Sequence, residues 1–217
     1  APTREQWHKP SRVGIPDPGW QNPMAVSGNP RSLTVNKPLA LLALFFSCST
    51  VAVAGDFRLS SPDIAPGQQV EERHVYDGFG CSGDNISPAL SWENVPEGTQ
   101  SFALMVHDPD APTGSGWWHW VVWNIPAAVR ELPAGAGQAD GSSLPAGAIQ
   151  GNTDFGGPGY GGPCPPPGAD PHRYYFRLHA LSVPALELPV NATAALVGFN
   201  VNAHTIAIAE LQPVYSR

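Results

Sequence analysis

The residues of this sequence best suited to chemistry are Asp108 and His119, which flank a loop rich in proline and glycine, and His172 and Tyr174, which follow a second such loop. Imidazoles and a phenol donate hydrogen bonds, as do backbone N–H groups of a glycine-rich segment. Three or four convergent donors of this kind can replace the water around a phosphate or carboxylate. A carboxylate beside an imidazole fixes the ring's tautomer and favours its protonated form, so Asp108 next to His119 would make a better anion donor near neutral pH. The same groups could instead work as acid and base, with Ser115 as a nucleophile or with Asp108, His119 and His172 as a metal triad. Against that enzyme reading, there is no G-x-S-x-G elbow and no H-E-x-x-H spacing, and a serine between Gly114 and Gly116 reads as a turn residue.

Positioning these groups is a matter of strand ends and shaped loops. From Phe102 to Ile125 the chain reads as strand, loop, strand. Phe102, Leu104 and Val106 fall on one face, and Ala103, Met105 and His107 on the other, the period of two expected where both faces are covered. The stop is Asp108-Pro-Asp-Ala-Pro-Thr-Gly114, whose prolines and aspartates hold one shape. The chain returns through Trp117, Trp118 and His119 into an aromatic and β-branched strand. The second loop, Asp154 to Asp170, has five glycines before Cys164 that allow close backbone approach, while Pro163 and Pro165 to Pro167 stiffen its exit. In the strand that follows, His172, Tyr174, Phe176 and Leu178 share one face by parity, and Arg173, Tyr175, Arg177 and His179 the other.

These segments resemble the phosphatidylethanolamine-binding protein family, also called Raf-kinase-inhibitor-like proteins, in its bacterial branch. The DPDAP loop with the following WHW, CSGDNISPALSW at Cys81 to Trp92, YGGPCPP at Tyr160 to Pro166 and PHRYYF at Pro171 to Phe176 are four ordered blocks within about Asp56 to Arg217. The resemblance implies a small anion-binding pocket formed by Asp108, His119, His172 and Tyr174 with Gly162 and Pro163. It also implies a C-terminal helix beside that pocket, which would bring His204 near. The ligand expected from it is a small anion or a phosphorylated or carboxylated head group, held without turnover by a protein that inhibits or modulates a protein partner. The competing expectations are a metal- or His/Asp-dependent hydrolase using the same pocket, and a docking domain built on the tryptophan cluster. No cofactor or resident metal is expected.

The remaining sequence agrees with a mainly β fold, a single β-rich domain with few short helices and one helix near the C-terminus. The 23 glycines and 25 prolines, spread through short punctuated segments, suit many turns. Strands are expected at Phe57 to Ser61, Val70 to Tyr76 and Ala89 to Trp92, a surface loop from Pro126 to Pro145, and a helix from Ala194 capped within Asn191 to Thr193. Ile206 to Leu211 and Val214-Tyr215 read as a last strand and tail.

Residues 1–23 carry no apolar period and read as a disordered or non-native extension. Residues 24–54 combine Arg31 and Lys37, the apolar run Leu39 to Phe46 and an Ala52-Val53-Ala54 exit, the marks of a secretory signal peptide. Cleavage after Ala54 makes the protein periplasmic or secreted, without a stable membrane anchor. The apolar run is too short for a bilayer, which needs about 20 residues. The domain, 55–217, then holds six arginines, no lysine and sixteen acidic residues, a net charge of 6 − 16 = −10. Such a surface repels nucleic acid and anionic lipid, so any anion must be held by a local site. Cys81 and Cys164 remain as a pair, and an even count in an exported protein favours a disulfide. Two separate buried thiols are the alternative, since spacing does not establish bridging distance.

Overall fold

A computed structural model describes residues 55–217; the extension and the signal peptide read from the sequence lie outside the described residues. Strand β5 (Ser101–Asp108) is the centre of a five-stranded antiparallel sheet. Its neighbours are β6 (Trp117–Pro126) and β10 (Tyr175–Leu181), with β8 (Ile149–Gln150) and β11 (Thr205–Leu211) at the edges, in the order β11-β10-β5-β6-β8. The period of two divides β5 between two cores. Phe102, Leu104 and Val106 pack with Trp120, Val122, Phe176 and Leu178 on one face, together with Leu59, Leu90, Trp92 and Leu132. Those last residues come from a three-stranded sheet of β1 (Arg58–Ser60), β4 (Leu90–Glu93) and β7 (Glu131–Leu132). Ala103 and Met105 pack on the opposite face with Val121, Trp123 and Leu181, against Ala194, Val197 and Val201 of helix α1 (Ala194–His204). Each fully buried large apolar side chain contributes roughly 1.5–3 kcal/mol, so a sheet covered on both faces fixes its register firmly.

Helix α1 starts where the sequence suggests, with the Thr193 hydroxyl accepting from the Leu196 N–H at 3.3 Å. It continues through Gly198, Asn200 and Asn202 because its buried stripe outweighs their weak helix propensity. Two expectations are corrected. Val70 to Tyr76 is not a strand: Glu72–His74 forms a 3₁₀ turn, with His74 and Val75 N–H groups donating to the carbonyls of Glu71 and Glu72. The stretch Pro126 to Pro145 is not wholly loop, since Glu131–Leu132 adds β7 to the small sheet and buries Leu132. Two short ladders complete the frame, β2 (Asp77–Gly78) with β3 (Cys81–Ser82), and β9 (His172–Arg173) with β12 (Val214–Tyr215).

Candidate functional site: a cavity at the end of the central sheet

Asp108 ends β5, and its carboxylate is fully engaged there. Oδ1 accepts from the Asp110 N–H at 2.8 Å and the Ala111 N–H at 3.1 Å, and Oδ2 accepts from His172 Nδ1 at 2.7 Å. Asp110, two residues on, accepts from Arg173 Nη2 at 2.6 Å, Arg173 Nε at 2.8 Å and the Arg173 N–H at 2.9 Å. The Arg173 guanidinium holds the Asp110 carboxyl down at about 2, against a smaller opposing effect of burial. Successive acids of the DPDAP loop therefore grip successive residues of β9. Gly116 permits the loop to close: its φ is +72°, and a Cβ there would lie 2.4 Å from the Asp108 carbonyl oxygen.

His119 is oriented by a different group from the one expected. Its Nδ1 lies 2.6 Å from the Gly161 carbonyl oxygen, so Nδ1 carries the proton and donates. Burial pushes the ring's pKa down to about 4, and the Gly161 carbonyl and the Asp108 charge only partly offset it. At neutral pH the ring is uncharged, and Nε2, buried without a protein partner, is a lone pair. Tyr174 packs edge-on to this ring at 5.1 Å between centroids. Its hydroxyl is also buried without a protein partner, and desolvation raises its pKa, so it stays a donor. Trp117 Nε1 is a third such atom.

The glycine-proline loop supports the site from behind. Gly161 N–H donates to the His119 carbonyl at 2.9 Å, and Gly162 N–H to Asn85 Oδ1 at 2.8 Å. A Cβ on Gly162 would lie 2.1 Å from the His74 carbonyl oxygen, and the Pro163 carbonyl accepts from the Tyr76 N–H at 3.1 Å. The amides expected to face an anion are thus used inside the protein. Gly162 and Pro163 hold the loop against residues 74–76 and do not line the cavity.

That cavity, of about 290 Å³, is lined by Asp108, His119 and His172 together with Ala111, Pro112, Trp117, Phe155, Pro165 and Pro166. Tyr174 stands behind His119 and does not line it; neither Ser115 nor His204 does. Helix α1 lies on the other core, so the implied juxtaposition of His204 with the pocket is absent. Sequence reasoning missed Phe79, Phe155 and Arg217. The Arg217 guanidinium reaches the cavity while donating to the carbonyls of Pro165 at 2.6 Å, Gly80 at 2.8 Å and Phe79 at 3.2 Å. No local pattern announces it, because its partners are over fifty and over one hundred and thirty residues away. A larger open groove, about 820 Å³, lies beside α1, but none of the unpartnered buried polar atoms belongs to it.

Cys81 and Cys164 are joined, with S–S 2.12 Å and Cα–Cα 6.1 Å, which settles the alternative of separate thiols. The bridge ties the β2–β3 turn carrying Phe79 to the proline segment that forms one side of the cavity.

Comparison with known proteins places this geometry. The sequence profile described as phosphatidylethanolamine-binding protein matches residues 60–216. The chain is 51% identical over 185 residues to YbcL of Escherichia coli (strain K12), covering 85% of this chain and 98% of that protein. It is 48% identical over 159 residues to YbhB of the same organism, covering 73% and 99%. The crystal structure of E. coli YbcL, described as a new member of the mammalian family, superposes with a TM-score of 0.74 at 53% identity, covering 75% of this chain and 99% of that one. A Chlamydia trachomatis homologue superposes at 0.62 and 33% identity, covering 74% and 97%. On fold and sequence alike, the chain belongs to the phosphatidylethanolamine-binding protein family.

Proposed function

We propose that this protein is exported and binds a small oxyanion, a phosphoryl or carboxylate group, in the cavity at the end of β5 and β6 without converting it. The observation that carries this reading is a pair of buried polar atoms with no protein partner on side chains that line the cavity, His119 Nε2 and Trp117 Nε1. Leaving such groups unpaired costs about 1–3 kcal/mol each, which a ligand with matching atoms recovers. Their roles are opposite at neutral pH, Nε2 accepting and the Trp117 indole N–H donating. A phosphate monoanion carries both a P–O–H donor and bare acceptor oxygens, and so complements the pair. Arg217 supplies positive charge at the same cavity in a domain that is otherwise strongly acidic.

The hydrolase reading has less support. Asp108 has both oxygens committed, Ser115 lies outside the lining, and among the described residues no group of three or more His, Cys, Asp and Glu side chains is arranged to hold a metal. Export is supported by the disulfide, which fits an oxidising compartment. The 185-residue similarity to YbcL also exceeds the 217 − 54 = 163 residues from Gly55 onward, so it extends into the residues read as a leader.

The test is calorimetry with inorganic phosphate on the wild type and on His119→Ala, together with an assay for phosphate release from a phosphoester. The expected result is binding in the wild type, about tenfold weaker in the variant, with no turnover. Equal affinities would refute the site, and steady release of product would replace binding by catalysis.

A further inference from the structure

We infer that the cavity selects an anion mounted on a flat aromatic body, an aryl phosphate or aryl carboxylate, with Arg217 as the cation that receives the head group. This rests on the anion-binding reading and names the ligand class. Three aromatic rings line the cavity and touch one another: Phe79 and Phe155 lie nearly parallel at 5.9 Å, and Trp117 stands edge-on to Phe155 at 5.5 Å and to Phe79 at 6.4 Å. Phe79 is 66% exposed and has a φ of +52°, a backbone conformation that bulky residues rarely adopt. A large apolar ring is thus held in solvent at the cavity's edge by a turn that does not suit it, beside a bridge at Cys81 that fixes the turn. A bare oxyanion would leave this surface wet. A volume of about 290 Å³ stands at the lower end of the range for organic ligands, about 300–1,000 Å³. Offset and edge-on packing of a ligand ring on these faces is the arrangement aromatic pairs prefer.

The sign of the charge follows from Arg217. Its three hydrogen bonds all go to carbonyls, those of Pro165, Gly80 and Phe79, and among the described residues no carboxylate pairs with it. The guanidinium has five N–H groups, so two are left for a ligand, and its charge is fixed in place without being neutralised. An aromatic cluster could also receive an alkylammonium group. Here Arg217 opposes one, and the carboxylate that lines the cavity, Asp108, is committed to the N–H groups of Asp110 and Ala111 and to His172.

The experiment is calorimetry of the purified protein with inorganic phosphate, phenyl phosphate and O-phosphoethanolamine. Phenyl phosphate should bind at least tenfold more tightly than inorganic phosphate, and O-phosphoethanolamine no more tightly than inorganic phosphate. Arg217→Gln should weaken phenyl phosphate about tenfold. Phe155→Leu, and independently the exposed Phe79→Ser, which leaves the core untouched, should each shrink the ratio between phenyl phosphate and phosphate to under threefold. Equal affinity for phenyl phosphate and phosphate, or tighter binding of O-phosphoethanolamine, overturns this inference and leaves the anion reading intact. Absence of binding by all three overturns the anion reading itself.

Discussion

The carboxylate of Asp108 holds His172 and not His119, with 2.7 Å between Oδ2 and Nδ1, both side chains buried. The two histidines of the cavity are therefore set by different acceptors, a carboxylate for His172 and a backbone carbonyl for His119. His172 thus bonds to a charged acceptor and His119 to an uncharged one.

Asp108→Asn keeps the shape and removes the charge. The amide oxygen can still accept from the N–H groups of Asp110 and Ala111, which turns its NH₂ toward His172 Nδ1. His172 should then switch tautomer, with its proton moving to Nε2, and stability should fall by about 1–2 kcal/mol through loss of a hydrogen bond to a charged group. Nitrogen chemical shifts of the imidazole read the tautomer directly; an unchanged Nδ1–H would show that the carboxylate does not set it.

The depressed pKa of His119 ties stability to acid. In the unfolded chain an imidazole titrates near the ordinary value of about 6.5, and in the folded protein at about 4. Between these values the unfolded state binds more protons, so stability is full above about pH 6.5 and is lost as pH falls toward 4. At pH 5 the loss from His119 alone should be about 2 kcal/mol, seen as a fall of several degrees in Tm against pH 7. His179, pushed down to about 4 chiefly by burial, should add to it. A His119→Leu variant should show a shallower loss, and an identical slope would contradict the assignment.

Phosphate binding should also depend on pH, for a reason other than a charged histidine. Because His119 Nε2 only accepts at neutral pH, the bound species is the ligand form that brings its own proton, and a phosphate monoester loses that proton near pH 6. Affinity should drop about tenfold per unit as pH rises above 6, with net proton uptake measured by calorimetry in buffers of different ionisation heat. Flat affinity between pH 6 and 8 would show that Nε2 does not face a ligand O–H.

Gly116→Ala should damage the site from outside it. The new methyl would meet the Asp108 carbonyl at 2.4 Å in a backbone conformation that side chains disfavour. A loss of more than about 1 kcal/mol is expected, together with weaker phosphate binding as the Asp108–His172 pair is displaced. Chemical denaturation and calorimetry on the same sample measure both.

How much of this was legible in the sequence depends on the range of the interaction. The alternation of Phe102, Leu104 and Val106 with Ala103 and Met105 needs only neighbours along one strand, and both cores follow it. So does the parity of His172, Tyr174, Phe176 and Leu178, all buried, although Tyr174 falls between β9 and β10. His179 keeps the parity too, lying on the opposite face, where it is buried with its Nδ1 3.1 Å from the Thr205 hydroxyl. Which histidine Asp108 would hold was not legible, because it turns on how the DPDAP loop lies across β9. The strand expected at Val70 to Tyr76 failed because Glu71 and Glu72 carbonyls close a local turn instead of joining a ladder. Arg217 was counted only as charge, its acceptors being distant in sequence and carried on backbone, which every residue has.

The bridge between Cys81 and Cys164 has a consequence for cleavage. It encloses β4, β5, β6 and the whole surface stretch 133–148 within one covalent ring, while His172 and Arg217 sit on the tail beyond it. A protease that cuts once between residues 133 and 148 opens the ring without separating the pieces. The two fragments then travel as a single molecule until a reductant acts, with Asp108 and His119 on one and His172 and Arg217 joined to the other only through sulfur if the cut falls between them. On a non-reducing gel the nicked protein runs as one species; on a reducing gel it runs as two.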